Sequence, residues 1–348
     1  MASHRVIRSS IANRPANRLA SPPALPTAEP AGEFRTHVLS LSPDMAGMRL
    51  DQALARALPQ YSRSRLQSWI EAGAVEVDGR QPRARDKVLG VEQVRIRARL
   101  EAGRAVVAED LPLEIVFQDK ALLVINKPPG LVVHPGAGNA AHTLQNALLG
   151  LDPKLALVPR AGLVHRLDKD TSGLLVVART PEVHTALVAA LSRREIERHY
   201  LAVCTGVMTG GGTVDEPIGR HRSQRTKMAV RADGRPSVTH YRVLKRFRGH
   251  TLVRAELESG RTHQIRVHFA HVGFPVVGDP VYGGRRRIPA GATKALMDEL
   301  TAFKRQALHA AHLKLEHPTT GRLVEWEAPL PEDMTHLIAA LEKDQHTT

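Results

Sequence analysis

The 348-residue chain carries 49 Lys and Arg against 35 Asp and Glu, an excess of +14 spread along its whole length, while aromatic residues make up only 3%. That balance selects a polyanionic partner. So few rings leave little from which to build a stacking platform for extended single strands, which favours a folded nucleic acid read through shape and phosphates. Cys204 is the single cysteine, so an internal disulfide or thiolate metal cluster is excluded and the cytoplasm is the expected setting. No run approaches the roughly 18 apolar residues of a membrane span.

Size predicts a large domain plus a smaller one. Residues 1–35, rich in Ala, Pro, Arg and Ser with no acid before Glu29, superficially match an organellar transit peptide. They lack amphipathic periodicity, however, and read as a disordered basic tail. Two short helices come next: Leu50, Ala53, Leu54, Ala57 and Leu58 make one apolar face, and Leu66, Trp69 and Ile70 another, after Ser62 as N-cap and before Gly73 as terminator. Val75 and Val77 alternate into an Asp78-Gly79 hairpin signal, and a further strand is expected near Val94–Ala98. Arg49, Arg56, Arg63 and Arg65 lie on the polar helix faces, where spacing alone fits a solvated surface as well as RNA contact. This helix–helix–hairpin pattern resembles the S4 RNA-binding domain. The resemblance implies an S4-like module over residues 36–100, with Arg49, Arg63 and Arg65 touching RNA, joined by a polar linker (101–112) to a second, larger domain.

From Leu111 the pattern is mostly strand-like, in "LEIVFQD", "ALLVINK", "GLLVVART", "HYLAVCTG", "VTHYRVLKRF" and "HTLVRAELE". The clearest helix starts after Thr180, with Pro181 at its first position and Val183, Leu187, Ala190 and Leu191 on one face. Strand runs with scattered helices and no regular βαβ alternation predict an α+β domain over 113–340 with a largely antiparallel sheet, and then a short tail, 341–348.

Within it, "HRLDKDTSGLLVVA" (165–178) crowds two carboxylates and two cations ahead of a strand. Three readings compete for Asp168 and Asp170: a phosphatase-like Asp-x-Asp motif, capping of the turn with pairing to Arg166 and Lys169, or a nucleophile held by a basic partner elsewhere. "GRTHQIRVHFAHVGFPVVGDPVYGG" (260–284) supplies such a partner, setting Arg261, His263, Gln264, Arg266 and His268 at the start of a helix capped by Thr262, with Ile265, Phe269 and Val272 inward. His263, His268 and His271 raise the possibility of a metal, but no ligand spacing supports it, and none is expected.

"HRLDKDTSGLLVVA", "HYLAV" and "GRTHQIRVH", with "NKPPGLVVHPGAGN" (126–139) and "RQALHAAHLKLEHP" (305–318), resemble the RluA family of RNA pseudouridine synthases over nearly all of residues 36–340. The resemblance implies isomerisation of uridine to pseudouridine without cofactor or metal, in large-subunit ribosomal RNA and there in the loop of helix 69. It makes Asp168 the catalytic carboxylate and Asp170 a loop-shaping neighbour. Arg266 is the expected cationic partner, with Arg261 as rival. Tyr200 supports the extruded base and offers a phenol; Leu313 is expected in the pocket wall. Flipping the base out of its stack is least costly in a hairpin loop. Arg166, Lys169, Arg261, His263 and Gln264 are expected to contact the RNA, with Arg193, Arg194, Arg220, Arg222 and Arg225 as further phosphate candidates. A monomer is expected. The alternatives are a ribosome assembly factor without chemistry and a related synthase acting on transfer RNA.

Overall fold

The computed structural model describes residues 34–58, 61, 63–99, 106–136, 138–224 and 226–345. The Ser62 cap, Arg225 and nearly all of the expected N-terminal tail lie outside them. The chain divides into two compact units, 1–105 and 106–348.

In the small unit the elements run β1 (Phe34–Ser40), α1 (Leu50–Ala57), α2 (Arg63–Glu71), β2 (Val75–Val77) and β3 (Gln93–Arg99). Both helices stand where the apolar spacing put them, and Leu50, Ala53, Leu54, Leu66, Trp69 and Ile70 form the core with Val75, Val94 and Ile96. Asp78 and Gly79 both have positive φ, as a two-residue hairpin turn requires. The turn closes on Arg80 alone, though, and the sheet partner of β2 is the distant β3, in the order β1-β3-β2. β1 was unforeseen and begins at Phe34, inside the segment assigned to the tail.

The larger unit contains β4 (Glu114–Gln118), β5 (Leu122–Lys127), α3 (Leu144–Leu151), β6 (Ser172–Ala178), α4 (Pro181–Arg193), β7 (Glu197–Thr205), β8 (Gly212–Asp215), β9 (Ile218–Arg220), β10 (Met228–Val230), β11 (Val238–Arg246), β12 (His250–Leu257), α5 (Gln264–His271), α6 (Lys294–Ala302), β13 (Leu308–Glu316), β14 (Leu323–Glu327) and α7 (Glu332–Gln345). Two expected boundaries move. Residues 106–112 of the expected linker belong to this unit, where Glu109 and Val107 bond to Asn146 of α3. The expected C-terminal tail begins inside α7, which buries Leu341 and Asp344.

A nine-stranded sheet runs β4-β5-β6-β13-β7-β12-β11-β8, with β14 also paired to β13. All its pairings are antiparallel except β6–β13. β5 and β6 are apolar on both faces because both faces are covered. Leu123, Ile125, Leu175 and Val177 pack with α3 and α5. Leu122, Val124, Leu174 and Val176 pack with Val183 and Leu187 of α4. Helix α4 is capped as its sequence demands, with Thr180 accepting from Val183 N–H.

The parallel junction comes directly after the Asp168–Asp170 loop. Gly173 there has φ +113° and its Cα faces the carbonyl of Ala310, so any Cβ would collide with main chain. Gly173→Ala should therefore lower stability by about 2–4 kcal/mol, read as a fall in the denaturant midpoint; an unchanged midpoint would show that the two strands are free to move apart.

Candidate active site

The residues around Asp168 enclose a cavity of about 320 Å³, with Leu163, Leu167, Ile265 and Leu308 as apolar walls and Arg160, Arg166, Arg198, Arg261 and Arg266 among its polar lining. Asp168 lines it; Asp170 does not. That is the volume of a small ligand pocket, suited to one nucleoside rather than a stacked run.

Asp168 enters on the loop before β6, and its side chain keeps 15% of its surface exposed. Arg266 reaches it from α5, Nη1 donating to Asp168 Oδ2 at 2.8 Å. The same guanidinium donates from Nε (2.7 Å) and Nη2 (2.9 Å) to the two oxygens of Asp279. Asp279 is itself fixed by the main-chain N–H groups of Val281 and Tyr282. Burial raises the Asp279 pKa, and its bonds to Arg266 and to those N–H groups more than offset this, leaving it below the usual carboxylate range. For Arg266, burial works against the charge, but Asp279 and Asp168 hold it ionised.

Arg261 does not reach Asp168; its Nε lies 3.4 Å from Pro236 O. His263 comes closer, its Nε2 3.8 Å from Asp168 Oδ1. Tyr282 Oη accepts from Met228 N–H and is hydrogen-bonded to His263 Nδ1 at 2.8 Å, which fixes the imidazole with Nε2 towards Asp168. Burial lowers the His263 pKa, with Asp168 opposing, so the ring is neutral. Tyr200, on β7, is 6% exposed and lines the pocket; burial raises its pKa and keeps the phenol protonated.

The loop bearing Asp168 is held from behind, residue by residue. Lys127, fully buried at the end of β5, donates to the carbonyls of Pro128 (2.7 Å), Leu131 (3.0 Å) and Lys169 (2.9 Å). Arg305 donates to Asp170 O at 3.1 Å, Gln306 Nε2 to Thr171 Oγ1 at 3.0 Å, and His309 Nδ1 bonds Ser172 Oγ at 2.9 Å. Two motifs distant in sequence thus converge on four consecutive residues, from Lys169 to Ser172 at the start of β6.

The family model described as RNA pseudouridylate synthase matches residues 121–271, and the S4 domain model matches residues 48–89. The Escherichia coli K12 protein named ribosomal large subunit pseudouridine synthase D is 55% identical over 88% of this chain and 94% of its own length. The chain is an RNA pseudouridine synthase. A Pseudomonas aeruginosa protein of the same name is also 55% identical, over 87% of this chain and 94% of that one. A solved structure, Human RNA Pseudouridylate Synthase Domain Containing 4, superposes with a TM-score of 0.52 at 28% identity, covering 66% of this synthase and 93% of the human chain.

Several expectations for individual residues need correction. Leu313 does not line the pocket; it faces the opposite layer, beside Leu174, Leu187 and Leu315. Leu308, at the start of the same strand, supplies the wall. Thr262 does not cap α5; the N-cap is His263, in the left-handed region at φ 57°. Gln264 is 3% exposed, with its carbonyl taken by Arg261 N and Ser259 Oγ and its amide by Val238 O and Thr239 Oγ1, so it braces the loop and has nothing left for RNA. His263 belongs to the aspartate's surroundings.

Arg166 and Lys169 are exposed. Arg193 pairs with Glu195 and Arg194 with Glu258. In the small unit Arg49 and Arg63 remain 44% and 42% exposed, but both are held by the buried Asp51, together with Gln67. Burial raises the Asp51 pKa; the Arg49, Arg63 and Gln67 bonds outweigh it and bring it to about 2. Arg65 lies on α2, half-buried. Among the described residues no group of three or more His, Cys, Asp or Glu is arranged to hold a metal, and no helix is long and apolar enough to cross a membrane.

Asp279, Tyr282, Lys127 and Arg305 were not singled out. Asp279 and Tyr282 sit in "GDPVYGG", where an acid close in sequence to a cationic helix was the available signal.

Asp279 is depressed in the folded state, so its contribution to stability is present above the unfolded value near pH 4 and is lost as pH falls through the lower folded value. Asp279→Asn should flatten the acid limb of the denaturant midpoint against pH. It should also cut turnover on the order of 10- to 100-fold by loosening Arg266. An acid limb of unchanged steepness would assign that stability to other carboxylates.

Proposed function

We propose that the protein converts uridines of large-subunit ribosomal RNA to pseudouridine, with the loop of helix 69 as target, acting as a monomer in the cytoplasm. The names of the relatives support the RNA class, as does the +14 excess of positive charge. The observation that carries the chemistry is the Asp168–Arg266–Asp279 cluster at a pocket sized for one nucleoside.

Arg266 is divided between two acids. Asp279 takes two of its N–H groups and Asp168 one, at Oδ2, so Asp168 Oδ1 accepts no bond from the guanidinium. That oxygen is the nucleophile, whether it adds to the ribose or to the pyrimidine ring. The bond from C1′ to N1 breaks, the uracil turns, C5 bonds to C1′, and one proton leaves C5 while another arrives at N1. The atoms of substrate and product are the same, so the reaction needs no cofactor. Tyr200 supports the ring with its face and offers a neutral phenol for the proton movement. The exposed Arg160 and Arg166 at the pocket offer phosphate contacts that keep the flipped nucleotide in place.

Asp168→Asn should abolish turnover, measured by tritium release from C5-labelled uridine in ribosomal RNA, with RNA affinity within a few-fold because phosphate contacts dominate binding. Asp170→Asn should retain most activity, its side chain lying outside the pocket. The reverse pattern would exchange the two roles.

Removal of residues 1–105 should weaken binding to structured ribosomal RNA more than it slows conversion at saturation. The log–log salt dependence should become shallower by about one unit for every phosphate that the small unit neutralises. An unchanged slope with a collapsed rate would mean that the small unit serves the chemistry rather than the grip.

A further inference from the structure

Arg198 lies on β7 two residues before Tyr200, so both side chains leave the same face of the strand. It lines the active-site pocket and is only 7% exposed. Its Nε has no partner, and among the described residues no carboxylate or carbonyl pairs with it. The guanidinium lies against Gly260, where a Cβ would stand 3.0 Å from Nη1. A buried guanidinium without a counter-ion is costly and is ordinarily paired. The contrast with Arg266, which satisfies two carboxylates in the same pocket, is sharp.

A second unused donor sits beside it. His165 Nε2 accepts the N–H of Val176 at 3.1 Å, so the imidazole hydrogen is on Nδ1. That Nδ1 is buried and has no partner, and His165 lines the same pocket. Burial and then the charge of Arg198 push the His165 pKa down to about 3, so the ring stays a neutral donor. The pocket is therefore lined by one cationic and one neutral side chain, each with a buried N–H that has no partner.

We propose that Arg198 and His165 bind the carbonyl oxygens of the flipped uracil, and that Arg198 holds the negative charge the ring acquires while it is detached from the ribose. This rests on Asp168 being the nucleophile. When the C1′–N1 bond breaks, its electron pair stays on the ring and spreads over N1, O2 and O4. The charge is discharged when C5 bonds to C1′; the C5 proton then leaves and N1 takes one up, so the product ring is again neutral. A fixed donor aimed at that charge in a water-poor site acts on the transition state more than on the bound substrate. Depth favours the base over a phosphate. Arg160 and Arg166, exposed at the pocket, are placed for the backbone, whereas Arg198 lies within the sheet.

The test uses full-length Arg198→Met and Arg198→Lys with large-subunit ribosomal RNA transcribed with C5-tritiated uridine. Single-turnover release at saturating enzyme should fall on the order of 10²- to 10³-fold in Arg198→Met. The dissociation constant and its salt slope should stay as in the parent, and Arg198→Lys should recover part of the rate. The melting temperature of Arg198→Met should be no lower than the parent's, since the change removes an uncompensated buried charge. A salt slope smaller by about one unit with an unchanged rate would make Arg198 a phosphate contact and overturn the proposal. A lowered melting temperature, or full activity in Arg198→Met, would equally overturn it. Asp168→Asn run in parallel separates the two levels: turnover surviving there would refute the nucleophile itself, not the role of Arg198.

Discussion

Arg266 stands between two carboxylates, and the arrangement of the active site depends on how unequally they share it. Asp279 takes a bidentate grip and also receives two main-chain N–H groups. Asp168 receives one bond, from Nη1. A symmetric pair would have satisfied Asp168 and quenched it. Here the guanidinium is first anchored to a fixed acid, and one further hydrogen, on Nη1, bonds the second acid at Oδ2 and leaves its Oδ1 free of the guanidinium. The neutral His263, turned by Tyr282, faces that oxygen at 3.8 Å without a full bond.

Such an arrangement acts only if the loop bearing Asp168 does not move, because misplacement by about 1 Å can cost on the order of 100-fold in rate. The fold supplies this through the β6–β13 junction. The one parallel pairing of the large sheet brings Ser172 beside His309 and Gly173 against Ala310, which places "RQALH" directly behind the loop that carries Asp168. The Arg305 contact to Asp170 O is relayed onward, since its other nitrogens grip Asp333 at the start of α7. On the other side, three carbonyls take one hydrogen each from Lys127, and an ammonium has three. "NKPPG" is thus joined to "HRLDKD" through a side chain that no substrate can reach.

Much of this fold was legible because its signals are local. β5 and β6 are apolar on nearly every position, and α4 announces itself through Thr180 and Pro181. β1 and the short strands β8, β9 and β10 were not, as polar edge segments carry little periodicity. Leu313 was misplaced because β13 is covered on both faces, so hydrophobicity along it does not say which residue meets the pocket; Leu308 does. Thr262 looked like a cap by residue type, whereas a left-handed His263 starts the helix, and backbone sign is invisible in a letter. Gln264 and Asp279 illustrate the same limit. Their roles depend on partners 13 to 26 residues away, fixed only when the chain closes.

The polyanionic substrate sets a last constraint. A carboxylate in the pocket repels phosphate, so the base has to be drawn towards a charge of the same sign as its own backbone. The exposed Arg160 and Arg166 offset this at the mouth, where phosphates would lie. Deeper, Arg266 is already shared between Asp168 and Asp279, and Arg198 bonds to neither acid. Placing that second guanidinium on β7 rather than beside Asp168 has a chemical consequence. A second ion pair there would further satisfy the carboxylate proposed as nucleophile, whereas on β7 Arg198 remains available, in the role proposed for it, to a ring that becomes negative.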